Sequence, residues 1–268
     1  EQALGRIEFR NVSFAYPDTD RDVLAGISLV VEPGETVAIV GPTGSGKSTL
    51  IGLLARMYDP TGGEILLDGV RLTDLDPADL RRLIGMLPQD SFLFSATIAD
   101  NIGLGLDSER PLVEPSGEPR DVIVAAARIA QLAEQVEQFP QRYGTMLGER
   151  GINLSGGQKQ RATLARALAR DPLILVLDDA LSAVDTHTEA KILDDLRSVM
   201  KRRTSFIISH RLSAVMHADK IFVLDAGQLV EQGTHADLIG GDGTYARLLR
   251  RQTLEKDLES RLAPASRD

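Results

Sequence analysis

A glycine-rich loop occupies positions 41–49, in the order Gly41, Pro42, Thr43, Gly44, Ser45, Gly46, Lys47, Ser48 and Thr49. An apolar run precedes it and helical spacing follows to about residue 58, an order that is typical of a phosphate-binding loop. Glycines let consecutive N–H groups converge on phosphate oxygens, and the N-terminus of the following helix attracts the same negative charge. We expect Lys47 to reach the β- and γ-phosphates, Ser48 to hold Mg²⁺ and Thr49 to contact the α-phosphate.

A carboxylate suited to the same chemistry lies further along the chain, where the apolar run from Leu173 to Leu177 ends at Asp178. A fully apolar run of this length indicates a central strand of a parallel sheet. A carboxylate at the end of such a strand can hold Mg²⁺ through its water ligands. An aspartate that only caps the following helix is the alternative interpretation.

The composition of the 268 residues is that of an ordinary globular protein, with 43% hydrophobic and 26% charged residues. No apolar run approaches the roughly 20 residues that span a bilayer, so we expect the chain itself to be soluble. Without cysteine it has neither disulfides nor Cys-based metal sites. A net charge of -9 and 4% aromatic residues argue against a nucleic-acid partner. Because the chain begins just before its first strand, we expect a domain cut from a longer polypeptide.

Hydrophobic periodicity predicts an alternation of strands and helices. The predicted strands cover residues 7–14, 23–31, 36–40, 64–68, 84–87, 173–177 and 205–209, with a hairpin over 220–230. The predicted helices cover residues 46–58, 122–138, 155–169 and 188–202, a short segment before the hairpin, and the charged segment from 237 onward. Residues 105–120 are rich in Gly, Asp, Ser, Glu and Pro and predict an exposed loop.

A glycine turn at the start of the predicted helix 155–169 carries the most specific pattern of the chain. It reads Leu154, Ser155, Gly156, Gly157 and Gln158, followed by Lys159, Gln160 and Arg161. This turn resembles the signature of ATP-binding cassette (ABC) transporters. With the loop at 41–49, the chain as a whole resembles the nucleotide-binding domain of such a transporter, and the resemblance runs from Ile7 to about Leu249. It implies an α/β fold of the P-loop NTPase type, with a RecA-like core containing a parallel sheet, an antiparallel β subdomain and an inserted α-helical subdomain.

The same resemblance implies one nucleotide-binding domain over residues 1–250 and a charged tail over 251–268. Within the domain, the core would comprise residues 1–88 and 166–250, and the helical subdomain would comprise about residues 89–165. Because the predicted elements between 90 and 165 are helices and loops, the sequence pattern favours this division.

The resemblance assigns roles to further residues that match family motifs. Tyr16 matches the aromatic residue that stacks on adenine. Gln89 matches the glutamine that senses Mg²⁺ and contacts the transmembrane domains, so Ser48, Gln89 and Asp178 form the implied metal site. His210 matches the switch histidine that senses the γ-phosphate and, like Gln89, belongs to the implied catalytic set.

In this family the signature acts across a dimer interface. Ser155 and the N–H groups of Gly156 and Gly157 lie at a helix N-terminus, which attracts phosphate, and Gln158 belongs to the same set. The resemblance implies that they bind the γ-phosphate held by a second nucleotide-binding domain, so that two domains enclose two ATP and Mg²⁺ head to tail. Residues 182–185, Ser-Ala-Val-Asp, match the D-loop of the family.

Two segments resemble ABC exporters in particular. Residues 145–151 resemble the X-loop, which couples to the transmembrane half, and residues 89–98 are also exporter-like. The resemblance implies a transmembrane domain in the same full-length polypeptide and a position at the cytosolic face of the membrane. A soluble ABC ATPase acting on DNA or ribosomes is a further interpretation, which the acidic charge and the X-loop disfavour.

One position departs from the family pattern, because Asp179 stands where the family usually has the glutamate that activates water. Asp and Glu have similar intrinsic pKa values, but Asp is shorter by one methylene, roughly 1.5 Å. A misplacement of about 1 Å can cost on the order of 10²-fold in rate. We therefore hypothesise slow hydrolysis in this chain's own site and a heterodimeric partner that carries Glu. A homodimer with a competent Asp179, and an ATP-gated clamp with turnover only in the partner site, are the alternatives.

Overall fold

The computed structural model describes residues 3–17, 19, 21–106, 112, 119–148, 152–209 and 211–262. The strands among them are β1 (Ile7–Phe14), β2 (Leu24–Val31), β3 (Thr36–Val40), β4 (Gly62–Leu67), β5 (Val70–Arg71), β6 (Ile84–Leu87), β7 (Ile174–Asp178), β8 (Thr204–Ile208), β9 (Lys220–Asp225) and β10 (Gln228–Gly233). The helices are α1 (Lys47–Leu54), α2 (Pro77–Leu83), α3 (Ile98–Ile102), α4 (Asp121–Ile129), α5 (Ala133–Glu137), α6 (Gly156–Ala169), α7 (Thr186–Met200), α8 (Leu212–Val215), α9 (His235–Ile239) and α10 (Thr244–Leu262).

These elements form two compact units. The first unit comprises Glu1–Gly5, Glu32–Gly34 and Leu75–Ser205, and holds α2 to α7, β6 and β7. The second comprises Arg6–Val31, Glu35–Asp74 and Phe206–Asp268, and holds β1 to β5, α1, β9, β10 and α8 to α10. The boundary between the units falls within β8. The division into a core and a helical subdomain at 89–165 stays a prediction.

An antiparallel sheet in the second unit is built around β1. Strand β1 pairs with β2 on one side and β4 on the other, so that Ile7 lies opposite both Val31 and Leu67. Its side chains alternate between buried and less buried positions until Asn11, whose φ of 49° coincides with a shift in register. This sheet is the antiparallel β component of the expected fold.

A second group of strands in the same unit positions the glycine-rich loop. Strand β3 pairs in parallel with β9, with Val40 opposite Val223, and β10 pairs antiparallel with β9. Residues 37–40 of β3 are buried, as the apolar run predicts. The loop at 41–49 therefore begins at the carboxyl end of a parallel strand, the edge at which α/β sheets bind ligands.

In the first unit, β6 and β7 form a parallel pair against which α6 packs. Leu87 lies opposite Leu177 at the ends of the two strands, and all of β7 is buried. Helix α6 contacts β6, α3 and α4. A Cβ atom on Gly85 would lie 2.9 Å from the carbonyl oxygen of Ala167 and 2.5 Å from Cγ of Pro172, so glycine permits this close approach.

Strand bounds agree closely with the sequence analysis, whereas three helix predictions are wrong in extent. The predicted strands at 7–14, 36–40 and 84–87 are confirmed as β1, β3 and β6. The helix predicted over 122–138 is two helices, because α4 ends at Ile129 and Gln131 has a φ of 53°. The helix predicted to reach residue 58 ends at Leu54. The helical segment predicted from 237 onward is two helices, α9 and α10, separated at residues 240–243. None of the described helices is long and apolar enough to cross a membrane.

Candidate nucleotide-binding site

Three glycines shape the loop between β3 and α1. A Cβ atom on Gly41 would lie 2.0 Å from the carbonyl oxygen of Leu224, and one on Gly46 would lie 2.6 Å from Cδ2 of Leu24. Gly46 also has a φ of 99°, which side-chain-bearing residues rarely adopt. Gly44, with a φ of 79°, has nothing within 4 Å of its Cβ position. The loop is therefore tightly packed at both ends and open at Gly44, as a phosphate cradle requires.

Lys47 lies over this loop at the first position of α1. Its Nζ donates to the carbonyl oxygens of Gly41 at 2.9 Å and Pro42 at 2.8 Å, and the residue is only 7% exposed. Helix α1 has no acidic residue in its first turn, so no side chain there offsets the positive end of the helix dipole. A phosphate group is the ligand that this combination of ammonium and helix N-terminus suits.

An aromatic cluster stands beside α1. The ring of Tyr16 contacts Phe14 and Tyr58 edge to face, at centroid distances of 5.0 and 5.4 Å. The phenol oxygen of Tyr16 lies 3.2 Å from the hydroxyl oxygen of Thr49. These contacts orient the ring that the resemblance assigns to adenine, and Tyr58 is a member of the cluster that the sequence analysis missed.

The strand-end residues of the first unit lie at one edge of β6 and β7. Asp178 ends β7 and is 6% exposed, while the exposed Gln89 follows the end of β6 by two residues. Because Leu87 lies opposite Leu177, the chain brings Gln89 and Asp178 to the same edge. Asp179 has a φ of 46°, a left-handed conformation that Asp adopts more readily than most residues.

The oxygen donors assigned to magnesium are sparse. The described residues contain no group of three or more His, Cys, Asp or Glu that could hold a metal ion by itself. Ser48, Gln89 and Asp178 offer hydroxyl, amide and carboxylate oxygens, which are the hard ligands that Mg²⁺ prefers. Mg²⁺ usually keeps several waters and shares the phosphates of its nucleotide, so a small protein donor set fits this ion.

The signature turn is a fully formed helix N-cap. Ser155 Oγ accepts from the backbone N–H of Gln158 at 3.3 Å, and the Gln158 side-chain oxygen accepts from the Ser155 N–H at 2.8 Å. Helix α6 has no acidic residue in its first turn. The N–H groups of Gly156 and Gly157 thus lie at an uncompensated positive helix end. The Gln158 side chain closes the cap, and its contribution in trans stays a prediction.

A pair of exposed phenylalanines follows Gln89. Phe92 is 64% and Phe94 48% exposed, and their rings meet edge to face at 5.0 Å. Arg166 of α6 supports them from within the unit, donating to the Phe92 carbonyl at 2.9 Å and lying over the Phe94 ring. Burial lowers the pKa of Arg166. Asn101 is 1% exposed and accepts from the Phe94 N–H at 2.8 Å, so this apolar surface is held firmly.

The first half of the expected X-loop packs against the segment that carries these rings. Met146 pairs with Thr97 in an isolated bridge. A Cβ atom on Gly148 would lie 2.4 Å from Oγ of Ser95, so the two backbones approach closely. Residues 149–151 of the X-loop, His210, and most of the loop predicted over 105–120 lie outside the described residues.

The chain matches a known protein family over most of its length. The family description "ABC transporter" matches residues 24–182, more than half of the chain. The chain belongs to the ABC transporter family. This confirms the resemblance and the expected fold class, and it makes the chain an ABC-type ATPase domain. The roles of the individual site residues stay predictions.

Individual relatives include a protein named as a flippase and one named as an exporter. The ABC domain is 47% identical over 248 residues to an ATP-dependent lipid A-core flippase of Pseudomonas aeruginosa, covering 92% of the chain and 40% of the relative. It is 47% identical over 249 residues to an ATM1-type heavy metal exporter of Novosphingobium aromaticivorans, covering 93% of the chain and 39% of the relative. The chain thus spans about two fifths of the length of these curated relatives.

A solved structure shows the same likeness. The structure of a bacterial Atm1-family ABC exporter with ATP bound matches the ABC domain with a TM-score of 0.85 and 46% sequence identity. The match covers 93% of this chain and 42% of that chain. Sequence and fold therefore point to the same group of exporters.

Proposed function

We propose that this ABC domain drives export by closing head to tail on a second nucleotide-binding domain around ATP and Mg²⁺. The observation that carries the proposal is that one chain contains both a glycine loop held by Lys47 and a signature helix whose positive N-terminus has no acidic residue in its first turn. A phosphate bound by the loop of one domain would contact the signature helix of its partner domain. The identities with a flippase and an exporter support export as the direction of transport.

The individual roles follow from the donors that each residue offers. Tyr16 stacks on adenine, and residues 41–49 bind the phosphates through backbone N–H groups and Lys47. Ser48, Gln89 and Asp178 would hold Mg²⁺, which neutralises phosphate charge when bound. The glycine turn that begins α6 acts on the partner's nucleotide, and His210 senses the γ-phosphate.

The proposal includes a slow site in this chain. Asp179 directly follows the buried Asp178 at the strand end where the water-activating group is expected. Its side chain is one methylene shorter than the usual Glu, and general bases must lie within hydrogen-bond reach of their water. A second domain that carries Glu would supply an active site completed by this chain's signature.

Turnover of the chain beside its Asp179→Glu variant tests this proposal. We expect the wild type to hydrolyse Mg-ATP slowly and Asp179→Glu to raise kcat by about tenfold or more, on the scale of a misplaced group. The matched control is Asp171→Glu, a lengthened carboxylate on an exposed surface. Equal turnover of wild type and Asp179→Glu favours the homodimer with a competent Asp179. Slow release of unhydrolysed ATP from the wild type favours the clamp.

A transmembrane domain of the same full-length polypeptide is the second proposed partner. The exposed Phe92–Phe94 pair, next to Gln89 and the X-loop segment, offers an apolar surface on the unit that carries the signature. The chain's share of its relatives' length leaves room for such a domain. Its proposed location is accordingly the cytosolic face of a membrane.

The transmembrane contact can be tested in the full-length protein. Phe92→Ser with Phe94→Ser should uncouple ATP turnover from transport while ATP affinity stays at the wild-type value. Val70→Ser, at another exposed apolar side chain, serves as the control. Unchanged coupling in the double variant would remove this surface from the proposal.

A further inference from the structure

Gln160 joins the signature helix to the segment that follows β7 and Asp179. The residue lies in the second turn of α6 and is only 5% exposed. Its Nε2 donates to Oγ of Ser182 at 3.0 Å, and its Oε1 accepts from the backbone N–H of Ala183 at 2.9 Å. One buried amide thus uses both its donor and its acceptor on consecutive residues of another segment.

The signature glycines pack on that same segment. A Cβ atom on Gly157 would lie 2.8 Å from the carbonyl oxygen of Ala183, and one on Gly156 would lie 3.5 Å from Cβ of Ala183. Any side chain at 157 would therefore push the segment away from α6. Glycine at this position is required within the chain, in addition to any contact with a phosphate.

A third contact lies at the end of the segment, where Asp185 caps α7. Its carboxylate accepts from the backbone N–H of Thr188 at 3.0 Å, and this bond holds the pKa of Asp185 below its usual value. Arg161, the residue after Gln160, lies close enough for its charge to interact with Asp185. Segment 182–185 is thus bonded to α6 through Gln160 at its start and to the first turn of α7 through Asp185 at its end.

We infer that Gln160 is a positioning residue that fixes residues 182–185 to the signature, so that both meet a partner domain as one rigid surface. The inference rests on the proposed function, because a rigid surface matters only if it acts on a second domain. Loss of the Gln160 amide would remove the acceptor of the Ala183 N–H and the donor to Ser182 Oγ, and would allow the segment to move. Because both side-chain bonds of Gln160 go to this segment, we expect its loss to leave ATP binding by the loop at 41–49 unchanged.

The contact is tested first, in the dilute chain without nucleotide. Gln160→Leu, which removes both hydrogen bonds at similar volume, should accelerate hydrogen exchange of the Ala183 amide by about tenfold or more. Thr163→Val is the matched control, because Thr163 is similarly buried on α6 and its hydroxyl donates to the Lys159 carbonyl of its own helix. Unchanged exchange at Ala183 in Gln160→Leu would overturn the inference.

The functional consequence is tested in the Asp179→Glu background, where the proposed function predicts measurable turnover. Gln160→Leu should lower kcat about tenfold to a hundredfold, the range expected for a displaced group, without changing the ATP dissociation constant of the monomer. Ser182→Ala added to Gln160→Leu should lower kcat no further, because both act through one contact. Independent, additive effects or a wild-type kcat in Gln160→Leu would overturn the inference.

The two arms separate failure of the inference from failure of the proposed function. If Asp179→Glu shows neither turnover nor ATP-dependent dimers, the proposed function is overturned together with the role of Gln160 in turnover. Hydrogen exchange at Ala183 then still decides whether Gln160 holds the segment. If Asp179→Glu turns over and only the Gln160 variants behave like the control, the inference alone fails.

Discussion

The phenol oxygen of Tyr16 lies 3.2 Å from the hydroxyl oxygen of Thr49, which links the ring assigned to adenine with the first turn of the phosphate-binding helix. The two residues are 33 positions apart in sequence. Through this link, the base and the phosphates of a nucleotide would be bound by groups whose separation is fixed.

The ring of Tyr16, more than its hydroxyl, should determine nucleotide affinity. Tyr16→Ala should weaken ATP binding about tenfold, because stacking of a base on an aromatic side chain is worth about 1–3 kcal/mol. Tyr16→Phe keeps the ring and should bind within about fivefold of the wild type, since a neutral hydrogen bond contributes about 1 kcal/mol. Titration with a fluorescent ATP analogue measures both, and equal losses would contradict the stacking role.

Removal of the Lys47 ammonium should abolish tight ATP binding. The Nζ atom is held over the loop by Gly41 and Pro42, and it is the only charge that the loop 41–49 itself contributes. Lys47→Ala is compared with Lys220→Ala, which loses a partly exposed pair with Glu35 that we expect to matter little. Isothermal titration with Mg-ATP reports both, and normal affinity in Lys47→Ala would count strongly against the site.

Gly46 should tolerate substitution less well than Gly44. Both have positive φ, but only at Gly46 does the added Cβ collide, at 2.6 Å from Leu24. Left-handed backbone costs a non-glycine residue about 1–2 kcal/mol, and overpacking adds about 1–3 kcal/mol. Gly46→Ala should therefore lower the free energy of unfolding by more than Gly44→Ala in urea denaturation. Equal losses would show that the packing against Leu24 is unimportant.

Chelation of Mg²⁺ should stop turnover, and Asp178→Asn should have the same effect with Mg²⁺ present. Asn has nearly the same shape but lacks the charge that attracts the ion, so the added Mg²⁺ should no longer strengthen ATP binding. Asp171→Asn, at an exposed carboxylate, is the control. ATP binding measured with and without EDTA reads out the effect. A preserved response to Mg²⁺ in Asp178→Asn would remove that residue from the metal site.

The carboxyl of Glu8 should titrate far below its usual range. Hydrogen bonds from Arg10 and Arg6, each 2.6 Å long, lower its pKa from 4.5 to about 2. Because the folded pKa is depressed, the stabilisation is present above pH 4.5 and is lost as the pH falls through about 2. Carbon NMR of the carboxyl group measures the pKa. Arg10→Gln should raise it, whereas Arg71→Gln, which removes a pair with Glu64, should not.

Strands were predictable from the sequence because their apolar runs are bounded by turns, whereas two helix ends carried no sequence signal. Gln131 and Arg56 both adopt left-handed backbone, with φ of 53° and 50°. At each, the next N–H bonds five residues back, from Leu132 to Ala127 at 2.8 Å and from Met57 to Gly52 at 2.8 Å. These are helix-ending motifs in which glycine is usual. Without glycine, the alanine-rich segment reads as continuous helix.

Some residues of the candidate site were likewise predictable from the sequence, and others were not. Residues 41–49 and 154–158 could be found because both combine closely spaced glycines with the predicted start of a helix, a recognisable sequence pattern. Gln160, Arg166 and Asn101 could not, because each acts through partners distant in sequence. Arg166 bonds to the Asn101 carbonyl 65 positions away. A polar side chain within a helix gives no sign of such a contact until the fold is known.

The left-handed backbone at Asp179 sets opposing demands on that position. Asp is one of the few residues that adopt this conformation with little strain, and its φ is 46°. A longer carboxylate there would gain reach toward water and lose that conformational advantage. Recovery of catalytic speed by Asp179→Glu should then come with a lower melting temperature, a stability–activity trade-off located at a single residue.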